Sequence, residues 1–229
     1  MRRFIPVFVA IFALSCAPIR VYQQLPSVTS WEQDIRRFEH LDSIETYSSQ
    51  AVLFAGSSSI RLWTTLAFDM APYPIIQRGY GGAKLSDFAV YADRIVYPHP
   101  CRAIVLFVAN DISGEIDDKS PEETARLFRI MLKTIRKKFP DTPLFWIAVT
   151  PTPLRWKVWP EIQQAGNLIR EVCLKDKNAF FIKTDSAFLN TDSLPKKELF
   201  MSDSLHLNVE GYAVWTEVIK KELILILGE

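Results

Sequence analysis

The chain has 229 residues, 48% of them hydrophobic and 23% charged, a composition suited to one globular domain with a single large core. The 27 Lys and Arg against 26 Asp and Glu leave a formal charge of +1, without the basic face that nucleic-acid binding requires. The 3 cysteines and 3 histidines show no CxxC or CxxH spacing, so neither a metal site nor a cofactor is expected.

At the N-terminus, Met1-Arg2-Arg3 precedes the apolar run Phe4 to Leu14, which suits a signal-peptide core and is too short to span a bilayer. The run ends in Ala13-Leu14-Ser15-Cys16, which resembles the lipobox of bacterial lipoproteins. That implies an exported protein, periplasmic or held to a membrane by a lipid on Cys16; a plain signal peptide cleaved nearby is the alternative. Residues 1–16 are therefore read as leader, 17–29 as a tether and 30–229 as a single domain. Cys101 and Cys173 lie beside apolar segments and are read as buried free thiols.

Trp31 to Tyr47 reads as a helix, with Ile35, Phe38, Leu41 and Ile44 recurring on one face. The apolar run Ala51–Ala55 is a buried strand ending at Gly56. A second strand, Pro74–Arg78, ends at Gly79-Tyr80-Gly81-Gly82, and Leu85 to Val96 suits a helix. Ala103–Ala109 is a third buried strand, closing on Asn110-Asp111. Ser120-Pro121-Glu122-Glu123 is a strong helix start, with Ser as N-cap and Pro in the first turn. That helix is stopped by Pro140, and its Arg136-Lys137-Lys138 end and acidic start both favour the helix dipole. A fourth strand, Pro143–Val149, runs into the loop Thr150-Pro151-Thr152-Pro153. A helix near Ile162–Lys175, a short strand Ala179–Ile182, a loop carrying Asp203 and His206, and a helix Val209–Ile226 complete the chain. Wholly apolar strands alternating with helices indicate a parallel sheet covered on both faces. The polar loops at the strand ends should then meet in one crevice.

Those loops carry the chemistry. Gly56-Ser57-Ser58-Ser59 places serine hydroxyls at a strand-to-helix turn, where backbone N–H groups face an incoming oxyanion. Alone it is equally a polar turn. Asp203 and His206, three residues apart on one helical turn, would share a face, so the carboxylate would reach an imidazole nitrogen. The bland alternative for the pair is a solvated loop with Asp as a local cap. His40 and His99 are read as structural or solvated. Gly82 and Asn110 add a backbone N–H and a side-chain amide as oxyanion donors; a flexible turn and an Asx turn are the competing readings.

In this order, Ser58, Gly82, Asn110 and His206 resemble the four blocks of the SGNH (GDSL-type) hydrolase superfamily. The blocks here are Phe54–Trp63, Gln77–Gly82, Val108–Asp111 and Asp203–His206. The resemblance implies a flavodoxin-like three-layer α/β/α sandwich with a five-stranded parallel sheet. It makes Ser58 the nucleophile, His206 the base and Asp203 its orienter, with the Ser58 N–H, Gly82 and Asn110 as the oxyanion hole. Two positions depart from the family pattern: Ser57 replaces its Asp, and Val108 or Ala109 stands where the third block has Gly. The classical α/β-hydrolase elbow is disfavoured because Ile60 stands where it requires glycine.

The segment Thr150–Trp156 should overhang the site, with Arg155, Trp156 and Trp159 lining a substrate cleft; that these Trp residues pack the loop down is the alternative. The expected function is an esterase that removes a small acyl group, such as acetyl, from a carbohydrate or related small-molecule or glycan substrate. A lysophospholipase or thioesterase with the same mechanism is the first alternative. An idle lipoprotein that binds glycans in the old cleft is the second.

Overall fold

Residues 18–228 are described by a computed structural model of the chain. The first elements are α1 (Pro18–Gln23), α2 (Pro26–Thr29), α3 (Glu32–Ile44), β1 (Val52–Gly56), α4 (Ser58–Arg61) and α5 (Leu66–Asp69). Then come β2 (Ile75–Gly79), α6 (Leu85–Val96), β3 (Ala103–Phe107), α7 (Pro121–Lys138) and β4 (Leu144–Ile147). The last are α8 (Trp159–Cys173), β5 (Ala179–Ile182), α9 (Asp185–Phe188) and α10 (Val209–Leu227).

The 5 strands form one sheet of order β2-β1-β3-β4-β5, with every pairing parallel. Strand residues alternate between two cores because successive side chains point to opposite faces. Leu53, Ala55, Ile104, Leu106, Leu144 and Trp146 pack on the side of α3, α6, α7 and α8. Val52, Phe54, Val105, Phe107, Phe145 and Ile147 pack against Trp215, Ile219 and Leu223 of α10 and against Trp63 and Leu66. Two buried faces explain why these strands are apolar at every position rather than at every second one. The result is the expected three-layer α/β/α sandwich, with the flavodoxin-like strand order.

Element ends differ from the sequence expectation where local chemistry intervenes. Helix α3 stops at Ile44, whose side chain is exposed, so the apolar stripe ends with Leu41. Helix α8 starts earlier than expected, at Trp159, because Pro160 is accommodated in a first turn. Strand β3 leaves the ladder after Phe107, and Val108 and Ala109 carry the chain up to Asn110. The Ser120 cap holds as expected, its hydroxyl accepting from the Glu123 N–H at 3.1 Å.

The tether reading of 17–29 is corrected for its described part. Residues 18–23 and 26–29 are helical, and Val28 is fully buried in the core shared with α6. Residues 1–17, which carry the leader and Cys16 readings, lie outside the described residues.

The order reverses direction between β1 and β3: from β1 the chain passes to β2 on one side, and β3 lies on the other. Ligand crevices of open parallel sheets form at this switch point, beyond the carboxyl ends of the strands. Ser58 follows β1 and Asn110 follows β3, so both stand at that crevice.

Candidate active site

The turn out of β1 depends on glycine. Gly56 has φ +137°, and a Cβ there would lie 1.9 Å from the Phe107 carbonyl oxygen, so no other residue fits without moving β3. The close approach lets the Ser57 N–H donate to that carbonyl at 2.8 Å. The chain then turns at once into α4, whose first residue is Ser58. The first N–H groups of a helical turn have no acceptor within it, which leaves the Ser58 N–H available to a ligand. Ser57, the residue standing where the family pattern has Asp, is buried and lines the cleft beside Ser58.

The second half comes from a tight hairpin just before α10. Phe200 and Leu207 pair across it, the Met201 N–H donates to the His206 carbonyl at 2.7 Å, and Ser204 turns the chain with φ 60°. Asp203 and His206 therefore meet across a turn, not along a helix as their spacing suggested. Oδ1 of Asp203 accepts from the backbone N–H groups of Leu205 (2.9 Å) and His206 (3.0 Å). Its Oδ2 lies 2.6 Å from His206 Nδ1, and His206 Nε2 lies 3.0 Å from Ser58 Oγ. The local cap and the imidazole partner are thus the same carboxylate. Partial burial alone would raise the Asp203 pKa, but the bonds from the His206 ring, the His206 N–H and the Leu205 N–H outweigh it and hold the group below its ordinary value. With Asp203 accepting a hydrogen bond from Nδ1–H, the neutral ring presents the Nε2 lone pair to the serine hydroxyl.

Ser58, Asn110 and His206 line one cleft, walled by Phe107, Val149, Leu207 and Trp215. Asn110 Nδ2 donates to the Ala83 carbonyl at 3.0 Å, which ties the third block to the loop carrying Gly82. Gly82 is not among the cleft-lining residues, but a Cβ on it would meet nothing within 4 Å, so its backbone borders open space.

Two buried carboxylates hold that loop, and sequence reasoning passed over both. Asp111 Oδ2 accepts from the Leu85 N–H at 2.7 Å, and Asp87 accepts from the Lys84 N–H at 2.9 Å and the Tyr80 hydroxyl at 2.5 Å. The Asp87 contact was within reach, since an acid three residues after an N-cap is a capping signal; the Asp111 contact, across 26 residues, was not. Burial pushes the Asp87 carboxyl from 3.8 up to about 7, its hydrogen bonds acting against the rise. The folded protein thus holds this proton more tightly than the unfolded chain, so the carboxyl favours folding most at low pH. Its contribution fades as pH rises from about 4 to above 7, each pH unit between them costing about 1.4 kcal/mol. Melting wild type and Asp87→Asn at pH 5 and pH 8 should therefore show the wild type losing ground to the variant at pH 8. Parallel pH curves would refute the assignment.

The expected cleft residues fall differently. Trp159 is buried with Ile112, Ile162 and Ala165, and Trp156 stacks on it with ring centroids 5.9 Å apart. Neither lines the cleft at Ser58, so the packing alternative describes them and the substrate-wall reading is corrected. Arg155 does line the cleft, yet it is buried and its head is engaged. Nη1 donates to the Ala109 carbonyl, and Nη2 donates to Asn110 Oδ1 at 2.6 Å. Desolvation lowers its pKa, and the carboxylates of Asp118 and Asp111 act in the opposite sense. The same loop reaches the hairpin, where the Leu154 N–H donates to the Ser204 carbonyl at 3.1 Å.

The model of the GDSL-like lipase/acylhydrolase family matches residues 45–214, well over half of the chain. No curated protein matches it. Among solved structures, a Streptococcus pneumoniae protein whose name refers to platelet activating factor superposes with a TM-score of 0.75 at 19% identity, over 90% of this chain and 100% of that one. A GDSL-like lipase from Bacteroides thetaiotaomicron gives 0.68 at 16% identity, over 84% and 98%. An acetyl-xylooligosaccharide esterase from Geobacillus, solved as a mutant, gives 0.63 at 13% identity, over 77% and 94%.

Proposed function

Because the chain belongs to the GDSL-like lipase/acylhydrolase family, and is thus a hydrolase of ester bonds, we propose that it removes a small acyl group, acetyl above all, from a carbohydrate or related alcohol through an acyl-enzyme on Ser58. The observation that carries this reading is the continuous relay from Asp203 Oδ2 through His206 to Ser58 Oγ, with links of 2.6 and 3.0 Å, at the floor of a small cleft.

In this reading His206 Nε2 takes the Ser58 proton as Oγ attacks the ester carbonyl. The carbonyl oxygen becomes an oxyanion that the Ser58 N–H, the Gly82 N–H and the Asn110 amide stabilise; loss of one such donor typically costs ~10²–10³ in rate. The imidazolium, balanced by Asp203, gives its proton to the departing alkoxide. Water then repeats the sequence, and the acid leaves with Ser58 regenerated.

The small acyl group is supported by the walls. Phe107, Val149, Leu207 and Trp215 wall the cleft, three of them essentially buried, so an acyl chain that runs into this wall has to displace packed core. The carbohydrate half draws support from the Geobacillus relative, which acts on acetylated xylooligosaccharide by its name. Forcing extra methylenes into a packed wall costs about 1–3 kcal/mol, which is roughly 5–150-fold in rate. We therefore expect kcat/KM on 4-nitrophenyl esters to fall by that factor between acetyl and octanoyl. A preference for octanoyl would exclude the small-acyl reading, and no hydrolysis of any ester would revive the idle glycan binder.

A further inference from the structure

We propose that Arg155 is a positioning residue that sets the Asn110 side-chain amide, and with it the oxyanion hole. The proposal rests on the reading of Asn110 as an oxyanion donor and goes beyond it, because Arg155 reaches the reacting atoms only through Asn110. An asparagine amide has two faces of similar shape and opposite polarity, and only one orientation offers N–H groups to a carbonyl oxygen in the cleft. Two contacts choose it. Arg155 Nη2 donates to Oδ1 at 2.6 Å, and Nδ2 donates to the Ala83 carbonyl at 3.0 Å. The flipped amide would set donors against the guanidinium and an acceptor against a carbonyl, so both contacts would become repulsive.

Asn110 Nδ2 carries a second hydrogen beyond the one given to Ala83, and this one remains for the substrate. The bond to a guanidinium is charge-assisted, and it polarises the amide so that this hydrogen becomes a better donor. Arg155 also holds the Ala109 carbonyl, so it grips two consecutive residues where the third block lacks the family's glycine. Its own loop is tied locally as well: the Arg155 backbone N–H donates to Thr152 Oγ1 at 3.2 Å. At 8% exposure the residue is anchored inside the wall, not poised to reach a substrate.

The test is a double-mutant cycle with Arg155→Met and Asn110→Ala, read on 4-nitrophenyl acetate, together with the Asn110 side-chain NH₂ signals in a ¹H–¹⁵N spectrum. Those signals are identified by their loss in Asn110→Ala. Arg155→Met should lower kcat by about 10–100-fold, part of the ~10²–10³ that a lost donor costs, with KM changed less than about threefold. In the Asn110→Ala background the same substitution should cost less than about threefold more, because the residue it acts through is gone. The Asn110 NH₂ pair should shift and exchange faster in Arg155→Met. Should that variant not fold, Arg155→Lys, which keeps the charge but only part of the grip, should give an intermediate loss with the same non-additivity. Additive losses, a change confined to KM, or an unmoved Asn110 amide signal would overturn the proposal. If wild type hydrolyses no ester, the functional reading falls, while the amide signal still decides whether Arg155 sets Asn110.

Discussion

Ser58→Ala is expected to lower the hydrolysis of 4-nitrophenyl acetate by at least ~10⁴-fold while leaving the fold intact. The substitution removes one atom, Oγ, whose only hydrogen-bond partner among the described residues is His206 Nε2 at 3.0 Å. The backbone role of the residue survives, since its carbonyl still accepts from the Leu62 N–H at 2.8 Å. A partly exposed position away from the packed core should change stability by no more than about 0.5 kcal/mol. In the proposed mechanism serine and histidine act as one unit, so adding His206→Ala should cost little more than either change alone. Retention of a tenth of wild-type activity in Ser58→Ala would mean that another group attacks, Ser59 at the same cleft being the first to examine.

Asp203→Asn is the second large effect, expected to reduce kcat by about 10³–10⁴-fold with little change in melting temperature. Its Oδ1 can go on accepting the Leu205 and His206 N–H groups, so the hairpin keeps its shape. The other position becomes an amide that donates to His206 Nδ1, where the carboxylate had accepted. The imidazole is then driven to the tautomer with its proton on Nε2, facing a serine hydroxyl from which it can no longer take a proton. Alanine would remove both the cap and the orienter, so asparagine isolates the electrostatic part. If asparagine kept more than a tenth of wild-type kcat, Asp203 would be a turn-former alone.

Much of this architecture could be read before the structure. The strands were visible because a sheet buried on both faces needs unbroken apolar runs, and α7 because Ser120-Pro121-Glu122-Glu123 is local chemistry. The Asp203–His206 pair was legible as a partnership, but its geometry was not. A left-handed turn at Ser204, a residue other than glycine, leaves no mark in the sequence, whereas spacing of three suggests a helix. Helices α1 and α2, with 6 and 4 residues, are too short to show a period, and Val28 is explained only by the α6 surface it covers. Arg155 was expected at the cleft and does line it, but what its guanidinium holds was out of reach for a related reason. A basic residue among tryptophans in a proline-rich loop looks like a cleft wall, and its partner Asn110 is 45 residues away. Burial decides such a residue's role, and burial belongs to the tertiary fold.

The two halves of the relay also differ in setting. Ser58 sits two residues beyond a backbone crossing at Gly56 so close that only glycine permits it, just past the end of β1, an interior strand of the sheet. His206 sits on a rim hairpin with its side chain 23% exposed and that of its partner Asp203 46% exposed. In the proposed mechanism the serine oxygen acts from one place, whereas the imidazole addresses first the serine proton, then the leaving alkoxide, then water. The fold thus sets the serine against buried backbone and the histidine on the side that solvent and a departing alcohol can reach.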